Sequence, residues 1–343
     1  MGGIDPAAIP LFLIHKIFAA PVLAEPTKGG IEMSTSTAAR QPRLKLKKNT
    51  GDQLFSLALI APTLLVTTVF ILVPVIDSVI KSFTDYRIKN IISGAPGVWN
   101  NFENYIKLFQ GGKLVPAITH TLLFVVGVVI AQFVLGMALA VILNSGLKGA
   151  RFIRSLMMMP WVVPTIISAL VWMWIFQPQY GLLKYAVSVV TGGAVTDFAM
   201  LNDPNTALLG VAIAALWKQV PLTTLLLLSG LQNVPDDMLE AAIIDGASRA
   251  KRFFAIVIPY MKSVISIVVS MAIIENFKQF PLIWTMTGGG PSESTTTLAV
   301  LSYREAFVSN NLGSGAAVTT IWMLLMIIVV AVYRKLFQAE DMN

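Results

Sequence analysis

Six long apolar runs constrain the fold of this 343-residue chain more than any other feature of its sequence. They cover approximately residues 54–76, 117–143, 152–176, 206–231, 263–286 and 313–333. An α-helix needs about 20 apolar residues to cross a hydrocarbon core of ~30 Å. Charged residues make up only 13% of the chain, against roughly 25% in a soluble domain. The sequence therefore predicts an all-α membrane protein with about six transmembrane helices.

Lysine and arginine on the loops predict the direction of these spans, since cytoplasmic loops carry an excess of both. If the segment before the first span is cytoplasmic, fourteen basic loop residues lie inside and seven lie outside. With an even number of spans, both termini are predicted to be cytoplasmic. The net charge of +7 then reflects topology, and nucleic-acid binding is not expected.

The spans also predict the domain boundaries. We expect a cytoplasmic extension at residues 1–53, the transmembrane domain at 54–337 and a cytoplasmic tail at 338–343. Residues 9–24 are apolar, but no basic region precedes them as it would in a secretory signal. We interpret residues 1–33 as an extension of little functional weight, and a seventh hydrophobic segment there is the alternative.

Several kinds of chemistry are excluded by what the chain lacks. It has no cysteine, which excludes disulfides, thiolate nucleophiles and iron–sulfur clusters, and two histidines cannot form a histidine-rich metal site. The sequence contains no G-x-x-x-x-G-K-[ST] phosphate loop. We expect no ATPase or other enzymatic activity, no metal site and no cofactor in this chain.

A loop between the fourth and fifth spans, residues 232–262, is the most informative stretch. Pro235 and Asp236 predict the start of a helix, because proline and acidic residues favour the first turn. Gly246 predicts its end, and a basic amphipathic segment follows until Pro259. Two short helices around a glycine form a protrusion that suits a groove in a soluble partner.

The residues of this loop resemble a known family. Glu240-Ala241-Ala242 is followed after three residues by Gly246, after nine more by Ile256, and three beyond that by Pro259. This spacing resembles the EAA loop of membrane subunits of ATP-binding-cassette importers, especially the binding-protein-dependent carbohydrate importers that include the maltose transporter. Further similar stretches are 216–221, 230–242, 287–291, 303–307 and 311–317.

The resemblance implies a permease subunit in the bacterial inner membrane that moves a sugar or oligosaccharide by alternating access. A second permease subunit, two ATP-binding subunits and an extracytoplasmic solute-binding protein are the implied partners, besides the lipid bilayer. ATP and Mg²⁺ are expected on the ATP-binding subunits. The residues implied in coupling to them are Glu240, Ala241, Ala242, Asp245, Gly246 and Pro259.

Polar side chains inside the spans suggest a substrate path, because ionisable groups are costly at membrane depth. Lys218 lies near the middle of span four, and Glu275 and Lys278 lie in span five before Pro281, where a broken polar helix is typical of transporters. The predicted path comprises Lys218, Gln219, Glu275, Asn276, Lys278, Gln279 and Trp284. Alternatively, Glu275 and Lys278 neutralise each other, Lys218 snorkels or pairs across helices, and Trp284 anchors at the interface.

The three charges on this path sum to +1, which allows an acidic sugar as well as a neutral one. One alternative function is a related permease for polyamine, phosphate or an amino acid. Another is a secondary transporter or channel that acts alone. The last is expected to show an internal repeat with paired broken helices, which the sequence does not display.

Overall fold

Helices account for the regular structure of the described residues, 50–194 and 199–339, in this computed structural model. Most of the predicted extension 1–53, the alternative hydrophobic segment there and most of the tail 338–343 lie outside those ranges. The chain divides into two units, residues 1–60 and 61–343, and the packing described below belongs to the second.

The helices are numbered in chain order, and the gap between the two described ranges, residues 195–198, divides them into two groups. Before the gap they are α1 (Thr50–Thr67), α2 (Val73–Lys81), α3 (Ile88–Ser93), α4 (Glu103–Gln110), α5 (Leu114–Asn144), α6 (Ala150–Met157), α7 (Met159–Val162), α8 (Thr165–Ile175) and α9 (Leu182–Val190). After it they are α10 (Ala207–Leu231), α11 (Asp236–Ile244), α12 (Arg249–Arg252), α13 (Ile258–Tyr260), α14 (Lys262–Phe277), α15 (Phe280–Thr287), α16 (Leu298–Tyr303) and α17 (Leu312–Ala339). Wider π-helical turns lie at Thr68–Leu72, Phe253–Val257 and Arg304–Val308.

Membrane-spanning length is reached by four helical segments among the described residues. They are Leu57–Lys81, Leu114–Asn144, Ala207–Leu231 and Leu312–Phe337. Two further pairs of helices are long and apolar enough to span a membrane only when the two helices of each pair are counted together. Both pairs are bent: Ala150–Val162 meets Thr165–Ile175 at 95°, and Arg249–Tyr260 meets Lys262–Phe277 at 73°. Counting each bent pair as one span gives the six that the sequence predicts.

The predicted third span, 152–176, is not a straight helix. Pro164 has no N–H to continue a helix, and it restricts the residue before it to extended conformations. Val163 accordingly has φ −62° and ψ 132°, and the chain turns there between α7 and α8. The predicted fifth span, 263–286, is broken at residues 278–279, as its proline and polar cluster indicate. The helical path before it continues through Pro259 to Tyr260, one residue beyond the predicted end.

Helices α5 and α10 form the centre of the bundle and run in the same direction. Phe124 and Val211 share one buried cluster, and Leu143 and Leu231 share another, further along both helices. The far-end cluster comprises chiefly Phe124, Ala169, Phe176, Val211, Leu282 and Met286. The loop-end cluster comprises chiefly Leu143, Leu231, Val257, Met261 and Ile265. Between these two apolar clusters the same helices carry polar side chains.

Candidate functional site

Three carboxamide side chains meet between the two clusters. Asn276 is 2% exposed and pairs reciprocally with Gln219. Asn276 Nδ2 donates to Gln219 Oε1 at 3.0 Å, and Gln219 Nε2 donates to Asn276 Oδ1 at 3.2 Å. Asn276 Nδ2 also donates to Gln132 Oε1 at 3.2 Å, and Gln132 Nε2 donates to Thr223 Oγ1 at 2.6 Å. We call these four residues the carboxamide layer, which joins α5, α10 and α14.

The carboxamide layer includes two residues that the sequence analysis missed. Gln132 is the one strongly polar side chain among residues 122–143, and that isolation within an apolar run was the available signal. Thr223 gives no such signal, because a threonine in a helix can satisfy its hydroxyl on its own backbone. A buried amide left without partners costs about 1–3 kcal/mol, so the layer favours one register of the three helices.

A cavity of about 390 Å³ lies beside the carboxamide layer. Its polar lining consists of Gln132, Lys218, Gln219, Thr223, Thr165, Glu275 and Gln279. Its apolar lining includes Trp161, Leu222, Leu226 and Met271. A few convergent polar groups in an apolar wall are typical of small-molecule sites. Four residues of the predicted path thus share this cavity, and Asn276 is bonded to one of them.

Lys218 lies at the edge of the cavity and contacts the bend between α7 and α8. Its Nζ donates to the carbonyl oxygen of Trp161 at 3.2 Å and to that of Val163. These carbonyls need an outside donor because the chain leaves the helix after Val162, and the carbonyls at a helix end have no helical partner. Pairing of Lys218 across helices was one of the alternatives that the sequence left open. The structure shows this pairing, and the partners are backbone carbonyls.

The break after α14 separates the remaining polar residues. Lys278 Nζ lies 2.9 Å from Glu275 Oε1, and both side chains are more than half exposed. Because α14 ends at Phe277, Lys278 and Gln279 do not continue its helical face. Gln279 lines the cavity with Glu275, whereas Lys278 does not.

Trp284 lies outside the cavity lining, in an aromatic group on α15 and α16. Its ring centroid is 5.7 Å from that of Phe280 in a stacked arrangement and 4.7 Å from that of Tyr303. Tyr303 also contacts Phe307. Trp284 is partly buried and packs against the far-end cluster.

The predicted coupling residues form an exposed turn after α11. Gly246 has φ +74°, and the hydrogen bonds from its N–H to the Ile243 carbonyl and from the Ala247 N–H to the Ala242 carbonyl end the helix in a Schellman motif. Glu240, Ala241, Asp245 and Gly246 are exposed, whereas Ala242 is 7% exposed. Ser248 begins the next helix, since its side chain accepts from the Lys251 N–H at 3.3 Å.

We call residues 240–248 the coupling turn, after their predicted role. This turn packs against the loop-end cluster of the bundle. Leu239 and Phe253 pack against the loop-end cluster from either side of Gly246. Pro259 is exposed and lies just before the 73° bend into α14. The turn is therefore connected through a short run of helix to α14, the helix that carries Asn276.

Three of the similar stretches noted in the sequence meet at the other end of the chain's fold. Arg304 Nη2 donates to the Gly288 carbonyl at 2.7 Å, which ties stretch 303–307 to stretch 287–291. Ser314 Oγ donates to Glu305 Oε2 at 2.9 Å, which adds stretch 311–317. Three separate stretches within residues 287–317 thus form one hydrogen-bonded unit.

Comparison with known proteins places the chain among transport membrane components. The family model described as "binding-protein-dependent transport system inner membrane component" matches residues 132–340. The chain is 34% identical to a trehalose/maltose transport system permease protein of Thermococcus litoralis, over 81% of this chain and 91% of that one. It is 33% identical to an sn-glycerol-3-phosphate transport system permease protein of Yersinia pestis, over 78% of this chain and 89% of that one.

A solved structure shares the fold. A chain of a bacterial ABC transporter involved in the import of the acidic polysaccharide alginate superposes with a TM-score of 0.70, at 18% identity, over 84% of this chain and 96% of that chain. The likeness extends over most of both chains, so the two chains share one fold.

Proposed function

The chain belongs to the family of binding-protein-dependent transport system inner membrane components, and on that premise we propose that it is the permease subunit of an ATP-driven importer for a sugar or oligosaccharide. It is a multi-pass membrane protein with a transport role. The trehalose/maltose relative supports a carbohydrate substrate. The cavity between the two apolar clusters is the observation that carries the proposal.

The cavity lining suits a hydroxyl-rich ligand. Carboxamides offer both donors and acceptors, as sugar hydroxyls require, and Gln132, Gln219 and Gln279 present three of them. Trp161 supplies an aromatic wall. The predicted path residues Lys218, Gln219, Glu275, Asn276 and Gln279 bind or position the substrate here, with Lys278 and Trp284 on its route beyond the cavity.

The broken helices provide the movement that alternating access requires. The cavity lies between the bend at Val163 and the break at Lys278–Gln279. Such breaks absorb backbone rotation while the helices on either side stay rigid. Opening toward the loop end or the far end then exposes the same carboxamide layer to one side of the membrane at a time.

The coupling turn docks in a cleft of an ATP-binding subunit. Glu240 and Asp245 offer negative charge, and Ile244, which is 86% exposed, offers an apolar contact beside Ala241. Gly246 sets the turn, Ala242 packs toward the bundle, and Pro259 passes the movement to α14. In this proposal the turn and both termini lie in the cytoplasm, and ATP and Mg²⁺ bind to two ATP-binding subunits.

The remaining partners meet other surfaces of the chain. The segment Leu57–Lys81 has no buried residue within its most apolar window, which leaves it for lipid or for a second permease subunit. The unit of stretches 287–291, 303–307 and 311–317 lies at the end away from the coupling turn, where a solute-binding protein delivers substrate.

Copurification and transport test this function together. The tagged chain is expected to copurify with an ATP-binding subunit, and proteoliposomes of the complex to take up radiolabelled maltose or trehalose when ATP and the cognate binding protein are present. Binding of the same sugars to that protein, measured by calorimetry, identifies the substrate. Uptake of glycerol 3-phosphate but not of maltose or trehalose would instead support the alternative function, a related permease for a non-sugar solute. Uptake without ATP would replace the proposal with a transporter that acts alone.

A further inference from the structure

A second cavity lies at the far end of the bundle, and we call it the far-end cavity. Its volume is about 470 Å³, against about 390 Å³ for the central cavity beside the carboxamide layer, and both are in the ~300–1,000 Å³ range of small-molecule sites. Phe176 and Met286 line it and are 4% and 5% exposed, so the far-end cluster forms part of its wall. Gly290 and Pro291 also line it, which places it against stretch 287–291.

The two cavities lie at opposite ends of the contact between α8 and α15. Thr165, the first residue of α8, and Gln279, which directly precedes α15, both line the central cavity. Gln177 follows α8, Met286 lies near the end of α15, and both line the far-end cavity. The two helices therefore run side by side from one cavity to the other.

Packed side chains separate the two cavities. Ala169 and Leu282 lie partway along α8 and α15, are 0% exposed and belong to the far-end cluster. Thr165 lines the central cavity and Trp174 lines the far-end cavity, nine residues further along α8. At 1.5 Å per residue this spacing is about 14 Å. The far-end cavity is thus a separate compartment and not an extension of the central one.

The lining of the far-end cavity is chemically similar to that of the central cavity. Trp174 contributes an indole that is 69% exposed, as Trp161 contributes an aromatic wall to the central cavity. Gln177 and Asn202 contribute two carboxamides. Within the described part of the chain, the Asn202 side chain makes no hydrogen bond, and Gln177 makes one, of 3.5 Å, to the Tyr180 hydroxyl. Both amides therefore keep donors and acceptors available for a ligand.

This lining favours a neutral sugar as the occupant. The described residues that line the far-end cavity include no charged side chain, so nothing there compensates a charged solute. Hydrocarbon is a poor occupant, because amides without partners are costly in it. Sugar hydroxyls can pair with the carboxamides, which offer both donors and acceptors, and the apolar face of a sugar ring can pack on the indole.

We propose that the far-end cavity is an entry subsite, where Trp174, Gln177 and Asn202 bind a neutral sugar before it reaches the central cavity. The cavity lies at the end of the bundle away from the coupling turn, which is the side where a solute-binding protein delivers substrate. The direction of passage and the choice of sugar rest on the proposed function.

Cysteine protection measures the occupancy of each cavity. The chain has no cysteine, so Pro178→Cys and Thr165→Cys place a single thiol at the far-end and the central cavity. Val190→Cys, at an 86% exposed position of α9 that lines neither cavity, is the control. In nanodiscs of the complete importer, maltose or trehalose at about four times the dissociation constant of a site should slow alkylation by a maleimide about fivefold at positions 178 and 165, and not at 190.

The pattern of protection separates this proposal from the proposed function. Protection at 178 that persists in Gln219→Ala, which weakens binding in the central cavity, would support the subsite. Protection at 165 alone would overturn the subsite and leave the proposed function standing, whereas protection at neither position would overturn both. Loss of protection at 178 in Gln219→Ala would attribute it to a movement that follows central binding, and would overturn the subsite. A thiol at 178 that is unreactive before sugar is added would assign the cavity to lipid or to the second permease subunit instead.

Substitution of Trp174 tests the ligand-binding face. In the chain with Pro178→Cys, Trp174→Ala is expected to raise the sugar concentration for half-maximal protection about fivefold, because it removes the aromatic surface. Trp174→Phe keeps an aromatic ring and should retain most of the protection. Neither change should alter protection at position 165, which controls for misfolding. Equal half-protecting concentrations for Trp174→Ala and its parent would overturn the assignment of sugar to this cavity.

Discussion

Lys218 Nζ donates to the carbonyl oxygen of Trp161, 57 positions earlier in the chain, at 3.2 Å. The same ammonium group reaches the Val163 carbonyl, so one lysine satisfies two acceptors that the bend before Pro164 leaves without helical partners. A charge inside a span therefore has a structural role in addition to facing the cavity. It also connects the central helix α10 to the most strongly bent segment of the bundle.

Removal of this amine is expected to loosen the bend. Lys218→Met leaves the Trp161 and Val163 carbonyls unpaired, at a cost of about 1–3 kcal/mol, and should lower the thermal inactivation midpoint of the purified protein and reduce uptake. Lys218→Arg keeps donors in place and should retain most of both. Lys107→Met removes an exposed ion pair with Glu103, worth less than about 1 kcal/mol, and serves as the control. Equal midpoints for Lys218→Met and Lys107→Met would contradict the role assigned to Lys218.

The carboxamide layer is expected to show energetic coupling between α5 and α14. Gln132→Ala and Asn276→Ala should each destabilise the protein, and the double variant should lose less than their sum, because both remove the same interaction. Interhelical hydrogen bonds in membranes average about 0.6 kcal/mol and reach about 1.7 kcal/mol, which sets the size of the coupling. Denaturation in mixed micelles measures all four corners of the cycle. Strictly additive losses would show that the bond between Gln132 and Asn276 contributes nothing.

The close approach of α5 and α10 is expected to tolerate no side chain at Gly136. A Cβ there would lie 2.7 Å from Thr223 Cγ2, so Gly136→Ala should force the helices apart and cost about 1–3 kcal/mol. Gly127 lies on the same helix with nothing within 4 Å of its Cβ position, so Gly127→Ala should be neutral or stabilise by up to about 1 kcal/mol. Thermal inactivation of the two purified variants, compared side by side, should separate them. Similar midpoints would rule out tight packing at Gly136.

The turn at Gly246 is expected to be required for coupling rather than for folding. Its φ of +74° costs a branched residue about 1–2 kcal/mol, while a Cβ would meet no atom within 4 Å. Gly246→Val should therefore insert and fold, yet leave ATP hydrolysis uncoupled from uptake in vesicles. Gly246→Asn tolerates the left-handed conformation and should transport nearly normally. Normal uptake by Gly246→Val would remove the basis for assigning this turn to ATPase docking.

The charge preference of the path is tested at Lys278. Lys278 lies outside the cavity lining but is paired with Glu275, which lines the cavity, so Lys278→Gln leaves an uncompensated negative charge in the cavity wall. Uptake of an acidic sugar is expected to fall more than uptake of a neutral one, because the remaining carboxylate repels an anion. Competition between the two labelled substrates in proteoliposomes measures the difference. An equal loss for both would indicate that the ion pair only supports the break after α14.

Much of the architecture could be derived from the amino-acid sequence, because helix length and apolar composition are local properties. The six apolar runs, the break before Pro281 and the glycine that ends α11 follow from residues close together in the chain. The turn predicted to couple to an ATP-binding subunit was located in the same way, from the spacing of residues within one loop and its resemblance to a known family. Its Schellman hydrogen bonds join residues only three and five positions apart.

Tertiary structure alone decided which polar residues share a site. Gln132 and Asn276 are 144 positions apart, and their contact depends on the packing of α14 against α5 and α10, which no local pattern encodes. The same packing placed Lys218 at the bend and set Lys278 and Trp284 outside the cavity. It also set the direction of the bend in the predicted third span, because Pro164 permits a bend whose direction is chosen by contacts with the rest of the bundle. Local chemistry thus determined the helices and the turn at Gly246, and long-range packing determined the cavity.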